Sequence, residues 1–293
     1  MHLDQLPNAI VSAAILSGLY SIVALGFVLL FRAAGVFNFA TGQMIMLGTY
    51  LYYQLATPYH MPFLVALLGA LVTMGALGAV MHIALLQRLA GLEHWSYAVL
   101  TLGVSIVMAR VVAIFWGTEA RTVSLPLPSL SFHTTNQIAI TTGGVLTLVA
   151  ALVLLVATLW LIRYSKWGIQ MRAAAENPVL ASQSGIDIDR VFIIGWAATG
   201  IILTMAGVVY AYSTVLSQSI GDIGLRGLAP AFVGGMDSAA GVFPGAIIVA
   251  LIENLAVVYF GESVRDAAVM MVILVMLVVR PTGLFGTPRV RRV

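Results

Sequence analysis

The sequence predicts an all-α, polytopic membrane protein: one transmembrane domain over residues 1–293 with about eight spans, some of them discontinuous helices. Three observations predict it. The chain is 61% hydrophobic and only 9% charged, where a soluble domain carries about 25% charged residues, and its mean hydropathy is +1.03. Several apolar runs approach or exceed the roughly 20 residues that cross a bilayer as a helix. Those runs are continuous, which excludes a membrane β-barrel and its in–out alternation. The first run is too long, and followed by too many others, for a cleaved signal peptide. With no cysteine there is no disulfide, thiolate chemistry or cysteine-ligated metal. A net charge of +3 does not point to nucleic acid and reflects the Lys and Arg that flank spans.

The apolar stretches run 8–31, 35–57, 62–87, 95–116, 141–162, 191–212, 224–240, 241–260 and 264–280. The poorest is 224–240, a broken segment holding Arg226, Pro230, Gly234, Gly235 and Asp237. It counts as membrane-deep because the charged stretch 163–190 and the basic tail "RPTGLFGTPRVRRV" belong on one side, which requires an even number of crossings between them. Arg32, Arg88, Arg163, Lys166, Arg172, Arg190, Arg280, Arg289, Arg291 and Arg292 then fall on that side, and Arg121 and Arg265 on the other. The bias makes the first side cytoplasmic and puts the N-terminus outside. The external loop 117–140, rich in Ser, Thr and Pro, reads as an ordered or semi-ordered cap. Trp95, Trp116, Trp160 and Trp167 fall near span ends, as in an aromatic belt. His60, His82, His94 and His133 show no metal-ligand spacing, so no metal is expected.

Residues 163–190 carry seven charged residues, Arg163, Lys166, Arg172, Glu176, Asp187, Asp189 and Arg190. Asn177 is placed to cap a helix, because its side chain accepts from an orphan backbone N–H, and Pro178 suits a first helical position. Gly185 suits the left-handed geometry beyond a helix end. The result is a helix of about two turns, Pro178–Ser184, with Asp187 or Asp189 capping the next span. So short a helix is marginal alone in water. One reading is a structured loop. The other is a docking helix for a soluble partner, with Val179, Leu180 and Ala181 as apolar contacts and Arg172 and Glu176 as charged ones.

Two stretches are candidates for a translocation path. In "NFATGQ", Asn38, Phe39, Thr41 and Gln43 bring polar groups to membrane depth, where each must pair or face water. They serve either helix packing or a broken helix lining the path. In "LAPAFVGGMD", Pro230, Gly234, Gly235 and Met236 predict irregular backbone, as a gate or a packing kink. The pentapeptide "AAGVF" occurs at 33–37 and again at 239–243, each time expected to begin an outward-going span. Arg110, Arg226 and Glu253 are ionisable residues in or near spans. Glu253 is expected in a structural ion pair with Arg110 or Arg226.

Three stretches carry a resemblance. "ALGFVLLFRAAGVFNFATGQMIMLGTYLYY" (24–53), "GIQMRAAAENPVLASQSGIDIDRV" (168–191), and "GLRGLAPAFVGGMDSAAGVFPGAIIVALIEN" (224–254) with the ending "VVRPTGLFG" match, in order and spacing, the permeases of branched-chain amino acid ABC importers of the LivH type. The chain resembles that family from about residue 20 to residue 286. Thr41 stands where the family commonly shows His, and Asp237 and the alanines after Ser238 depart from its second signature. The resemblance implies an ABC importer permease fold, and a coupling helix at 172–185 that docks on two ABC ATPase subunits. It also implies a second permease subunit, LivM-like and so a heterodimer, and an extracytoplasmic solute-binding protein. It implies a bacterial cytoplasmic (inner) membrane, and no enzyme activity or cofactor in the chain itself. No GxxxxGK[ST] phosphate loop is present. The solute stays open among branched-chain and other amino acids, urea, short amides, and aromatic or carboxylic acids. The other class of reading is a self-sufficient secondary transporter or channel.

Overall fold

The computed structural model describes residues 6–89, 94–123, 131–133 and 139–286. Eleven α-helices are found among them, in the order α1 (Leu6–Ala34), α2 (Thr41–Ala56), α3 (Phe63–Met81), α4 (His94–Trp116), α5 (Thr142–Tyr164), α6 (Lys166–Glu176), α7 (Pro178–Gln183), α8 (Ile188–Ser213), α9 (Asp222–Gly234), α10 (Val242–Phe260) and α11 (Arg265–Val279). A short antiparallel hairpin, β1 (Ser131–His133) with β2 (Ala139–Thr141), pairs Phe132 with Ile140 in the loop before α5. The tail bearing Arg289, Arg291 and Arg292, and parts of the 117–140 loop, lie outside the described residues.

Among the described residues six helices are long and apolar enough to cross a membrane. The other three expected spans are shorter than the sequence suggests. α2 has 16 residues, α9 has 13 and α11 has 15, or about 24, 20 and 23 Å at 1.5 Å per residue, against a hydrocarbon core of about 30 Å. The stretch 35–57 is helical only from Thr41. The stretch 224–240 becomes α9, a turn, and a 3₁₀ turn at Ala239–Gly241.

Helix α1 is the axis of the bundle: 78% of its apolar window is buried, against 17% for α4. Small residues explain this. Gly18 lets Leu148 of α5 come close, Gly26 accepts Leu203 of α8, and Val23 sits on Gly227 of α9. Gly78 and Gly200 bring the α3 and α8 backbones together, and Gly48 and Gly207 do the same for α2 and α8. Such small-residue contacts replace the hydrophobic drive that helices lack in lipid. The serine hydroxyls of α1 add no cost, because Ser17 and Ser21 donate to Ala14 and Ser17 carbonyls at 2.7 and 2.6 Å.

The bundle has two ends. At one, here the loop end, lie the close of α1, helices α6 and α7, and residues 280–286. At the other, the hairpin end, Trp116 donates to Gln54 at 2.8 Å. Arg121 there sits 5.2 Å over the Tyr53 ring and pairs with Leu216 through an isolated bridge. Trp167 is buried rather than belt-like, its indole donating to the Val191 carbonyl at 3.1 Å.

Candidate functional site

Helix α1 stops at Ala34 because Gly35 takes φ +68°, a left-handed geometry that suits glycine. Residues 36–40 then run non-helically back into the bundle, and α2 starts at Thr41. That irregular stretch is largely buried, with the Phe39 side chain exposed, so its polar groups need partners. The Asn38 side chain supplies them. Its oxygen accepts from the Ala40 amide at 2.9 Å and its amide nitrogen donates to the Met44 sulfur at 3.3 Å. The Asn38 carbonyl accepts the Thr41 hydroxyl at 2.7 Å, and the Phe39 amide donates to the Thr101 hydroxyl of α4 at 3.2 Å.

The start of α2 meets the start of α9. Gly42 packs directly on the backbone of Gly221 and Gly224, where a Cβ on Gly42 or Gly224 would collide with main chain. Around this meeting point is a cavity of about 170 Å³. Asn38, Phe39, Thr41 and Gln43 form one wall, Leu102 and Ser105 of α4 a second, and Asp222, Leu225 and Leu228 of α9 a third. Ser105 is the middle residue of α4 (His94–Trp116), so the cavity sits near mid-depth. Asp222 brings a carboxylate to the lining, and Phe27, Phe37, Phe39 and Leu228 make much of it apolar.

The structure thus brings together four of the eight expected path residues: Asn38, Phe39, Thr41 and Gln43. It does not bring Pro230, Gly234, Gly235 or Met236 to the cavity. Pro230 lies within α9 with its carbonyl against Gly245. Gly234 lies against Gly241, and Gly235, at φ +108°, lies against Gly283 and Gly286. The Leu284 and Phe285 amides donate to the Val233 and Gly234 carbonyls at 2.8 and 3.1 Å, sealing the turn. Met236 is buried in the main core. The irregular backbone expected there exists, and what surrounds it is protein.

The ionisable residues pair differently than expected. Glu253, fully buried in α10, accepts from Tyr20 at 2.5 Å and pairs with Arg265 at 3.0 Å. Arg265 starts α11 and also holds the exposed Glu262 at 2.6 Å. That contact keeps the Glu262 carboxyl below the usual carboxylate range. Arg226 pairs with Asp266 at 2.7 Å. Arg110 is exposed on α4 and belongs to none of these pairs. Among the described residues no group of three metal-ligating side chains occurs.

At the loop end the short-range signals are realised. Asn177 accepts from the Leu180 amide at 3.0 Å to start α7, and Gly185 closes it at φ +83°. Asp187 caps α8 by accepting from the Arg190 amide at 3.1 Å. The upstream residues form a helix of their own, α6, capped by Ser165, which accepts from Gly168 at 2.9 Å. Val179 and Leu180 are 65% and 59% exposed, while Ala181 is buried. Glu176 is exposed. Arg172 turns back and donates to the Ile162 carbonyl of α5, so it braces the loop instead of pointing outward.

Sequence reading missed Asp222, Ser105 and Thr101 as site residues and Arg265 as the partner of Glu253. Asp222 carried one signal: it lies four residues before Arg226, the spacing of a helical ion pair. The pairing of Arg226 with Asp266 defeats that signal.

A helical bundle with a cavity of mixed polar and apolar lining at mid-depth and a capped helix standing out from one end is a membrane transport subunit. The family model of the branched-chain amino acid transport system permease component matches residues 9–280, and the chain belongs to that family. It is 29% identical to the high-affinity branched-chain amino acid transport system permease protein LivH of Escherichia coli K12, over 95% of this chain and 94% of that one. It is 23% identical to the permease protein BraD of Pseudomonas aeruginosa, over 100% and 98%. A probable LivH permease of Methanocaldococcus jannaschii is 27% identical over 94% and 90%. Among solved structures, PsaBC from Streptococcus pneumoniae in complex with Fab superposes at TM-score 0.49 with 13% identity, over 94% of this chain and 92% of that one. The superposition is loose and no residue role is taken from it. Membership in the ABC permease family displaces the secondary-transporter reading.

Proposed function

We propose that the chain forms part of the translocation path of a bacterial inner-membrane importer for a branched-chain amino acid or a related small amphipathic solute. The N-terminus and hairpin end face outward, and the loop end faces the cytoplasm. There α7, with Val179 and Leu180, docks on a pair of ABC ATPases, and Glu176 contributes a charged contact. A second, LivM-like permease completes the path, and a solute-binding protein delivers the solute at the hairpin end. ATP hydrolysis in the partners drives α7, which is joined to α8 by three linking residues and a cap. That motion reaches α2 and α9 through the close α2–α8 packing at Gly48 and Gly207.

The observation that carries this reading is the exposed, doubly capped α7. A two-turn helix held rigidly at both ends with two large apolar side chains in water is costly unless covered, since burying each is worth about 1.5–3 kcal/mol. The test is co-purification after mild detergent extraction, comparing wild type with Glu176→Arg and Leu180→Asp. An ATPase pair is expected with wild type and not with the variants, whose thermal unfolding stays at the wild-type midpoint. If wild type brings no ATPase and moves solute alone in liposomes, the proposal fails.

A further inference from the structure

The cavity holds one group that packing does not explain. Asp222 opens the first turn of α9 and lines the cavity together with Gln43 and Ser105. A carboxylate at that depth is expensive unless it faces water, a partner charge or a cation. Its natural partner would be Arg226, one turn further along the same helix. Arg226 instead reaches Asp266 of α11 at 2.7 Å. No ion pair or hydrogen bond joins the Asp222 side chain to any described residue, and the residue is exposed at the cavity mouth.

The other polar groups of the cavity show what the carboxylate faces. Ser105 donates its hydroxyl proton to the Leu102 carbonyl at 2.7 Å, so only its oxygen lone pairs are turned to a solute. Asn38 has both ends of its amide engaged within the α1–α2 junction. What remains beside Asp222 is the Ser105 oxygen, an acceptor, and the Gln43 carboxamide, which lies against Gly221 and offers both a donor and an acceptor. The apolar part of the lining includes Phe27, Phe37 and Leu228. A volume of about 170 Å³ suits a small solute and excludes a peptide.

We propose that Asp222 recognises the protonated amino group of the transported solute, so that the permease itself selects an α-amino acid with an apolar side chain. Urea, a simple amide or a carboxylic acid of the same skeleton has no ammonium to set against this carboxylate. The inference rests on the reading of the cavity as part of the path, and it narrows the solute from within that reading.

The experiment uses the full chain, with whatever subunits co-purify, in lipid nanodiscs. Binding is measured for L-leucine, L-valine and L-phenylalanine, and for 4-methylpentanoate, acetamide and urea. Wild type is expected to bind at least one amino acid, and 4-methylpentanoate at least tenfold more weakly than leucine. Asp222→Asn should weaken amino-acid binding tenfold or more and change 4-methylpentanoate binding less than twofold. Asp222→Glu, which keeps the charge, should fall between. A role confined to the start of α9 would move the unfolding temperature and leave the ratio of leucine to 4-methylpentanoate unchanged. Three results overturn the proposal: Asp222→Asn binds leucine like wild type, wild type prefers the uncharged or acidic probes, or wild type binds none of the probes. Loss of the second permease from Asp222→Asn, with leucine binding intact, reassigns the carboxylate to a subunit contact. ATPase co-purification is scored on the same preparations. Its failure beside Asp222-dependent binding removes the importer reading and keeps the site, and the reverse result removes the site alone.

Discussion

The same five residues, Ala-Ala-Gly-Val-Phe, sit at two junctions of the bundle and take different conformations. At 33–37 they end a helix: Ala33 and Ala34 close α1, Gly35 turns left-handed, and Val36 and Phe37 run non-helically inward. At 239–243 they begin one: Ala239–Gly241 form a 3₁₀ turn, capped by Ser238, and Val242 and Phe243 open α10. The neighbours decide between them. After the first copy comes Asn38, whose side chain and carbonyl satisfy the Ala40 amide and the Thr41 hydroxyl and so hold a non-helical strand at depth. Before the second comes Gly234-Gly235, whose bare backbone lies on Gly241, Gly283 and Gly286. Both junctions are irregular and buried. One is lined with polar side chains and borders a cavity, and the other is filled by glycine main chain. Irregular backbone at membrane depth therefore has two readings, and side-chain polarity separates them better than the presence of Pro and Gly does.

The largest expected effect breaks the glycine junction. Gly235→Ala puts a Cβ against the Gly286 backbone at a φ of +108°, and strain of that kind costs about 1–3 kcal/mol before any main-chain displacement. Thermal unfolding in detergent should show a fall of at least that size. The molecules that remain folded should bind solute with wild-type affinity. A variant that unfolds like wild type yet has lost solute binding would move this junction into the path.

A smaller loss of stability and a larger loss of function are expected from Asn38→Ala. The side chain is 1% exposed, and its removal leaves the Ala40 amide without its acceptor, worth about 1–3 kcal/mol. Because the same strand carries Phe39 and Thr41 to the cavity, solute uptake per folded molecule should drop severalfold. Uptake normalised to folded protein measures this directly, and an unchanged value would make the α1–α2 junction a packing device like the other.

How much of this was readable in advance follows the range of the interactions. Asn177 and Asp187 accept from amides three residues on, so the Asn177-Pro178 start and the Gly185 close of α7 were legible from their order alone, and the cap of α8 was legible as one of Asp187 and Asp189. Asn38 and Thr41 were legible as polar groups needing partners at depth. The cavity was not, because it depends on Gly42 meeting Gly221 and Gly224, far away in sequence, and neither stretch advertises the other. Asp222 was not singled out for that reason. Glu253 was correctly expected in an ion pair, but its partner Arg265 lies just beyond the turn that follows α10. The span ending at Gly234 looked long because the apolar composition continues through the turn into α10, and composition does not register a chain reversal.

The sharpest test of the comparison has the smallest expected effect. Met236 follows the glycine pair and, by its position in "GGMD", was expected to line the path. It is buried in the core beside the sealed turn instead. Met236→Leu conserves volume and chemistry, and such swaps usually cost less than about 1.5 kcal/mol. Neither solute affinity nor the preference for leucine over 4-methylpentanoate should move. Gln43→Leu, an equally modest change at the other junction, alters a cavity wall that is only partly buried. It should leave the unfolding midpoint near wild type and shift solute affinity. If the two variants exchange these behaviours, the glycine turn opens to solute in the working transporter and the polar junction is the scaffold.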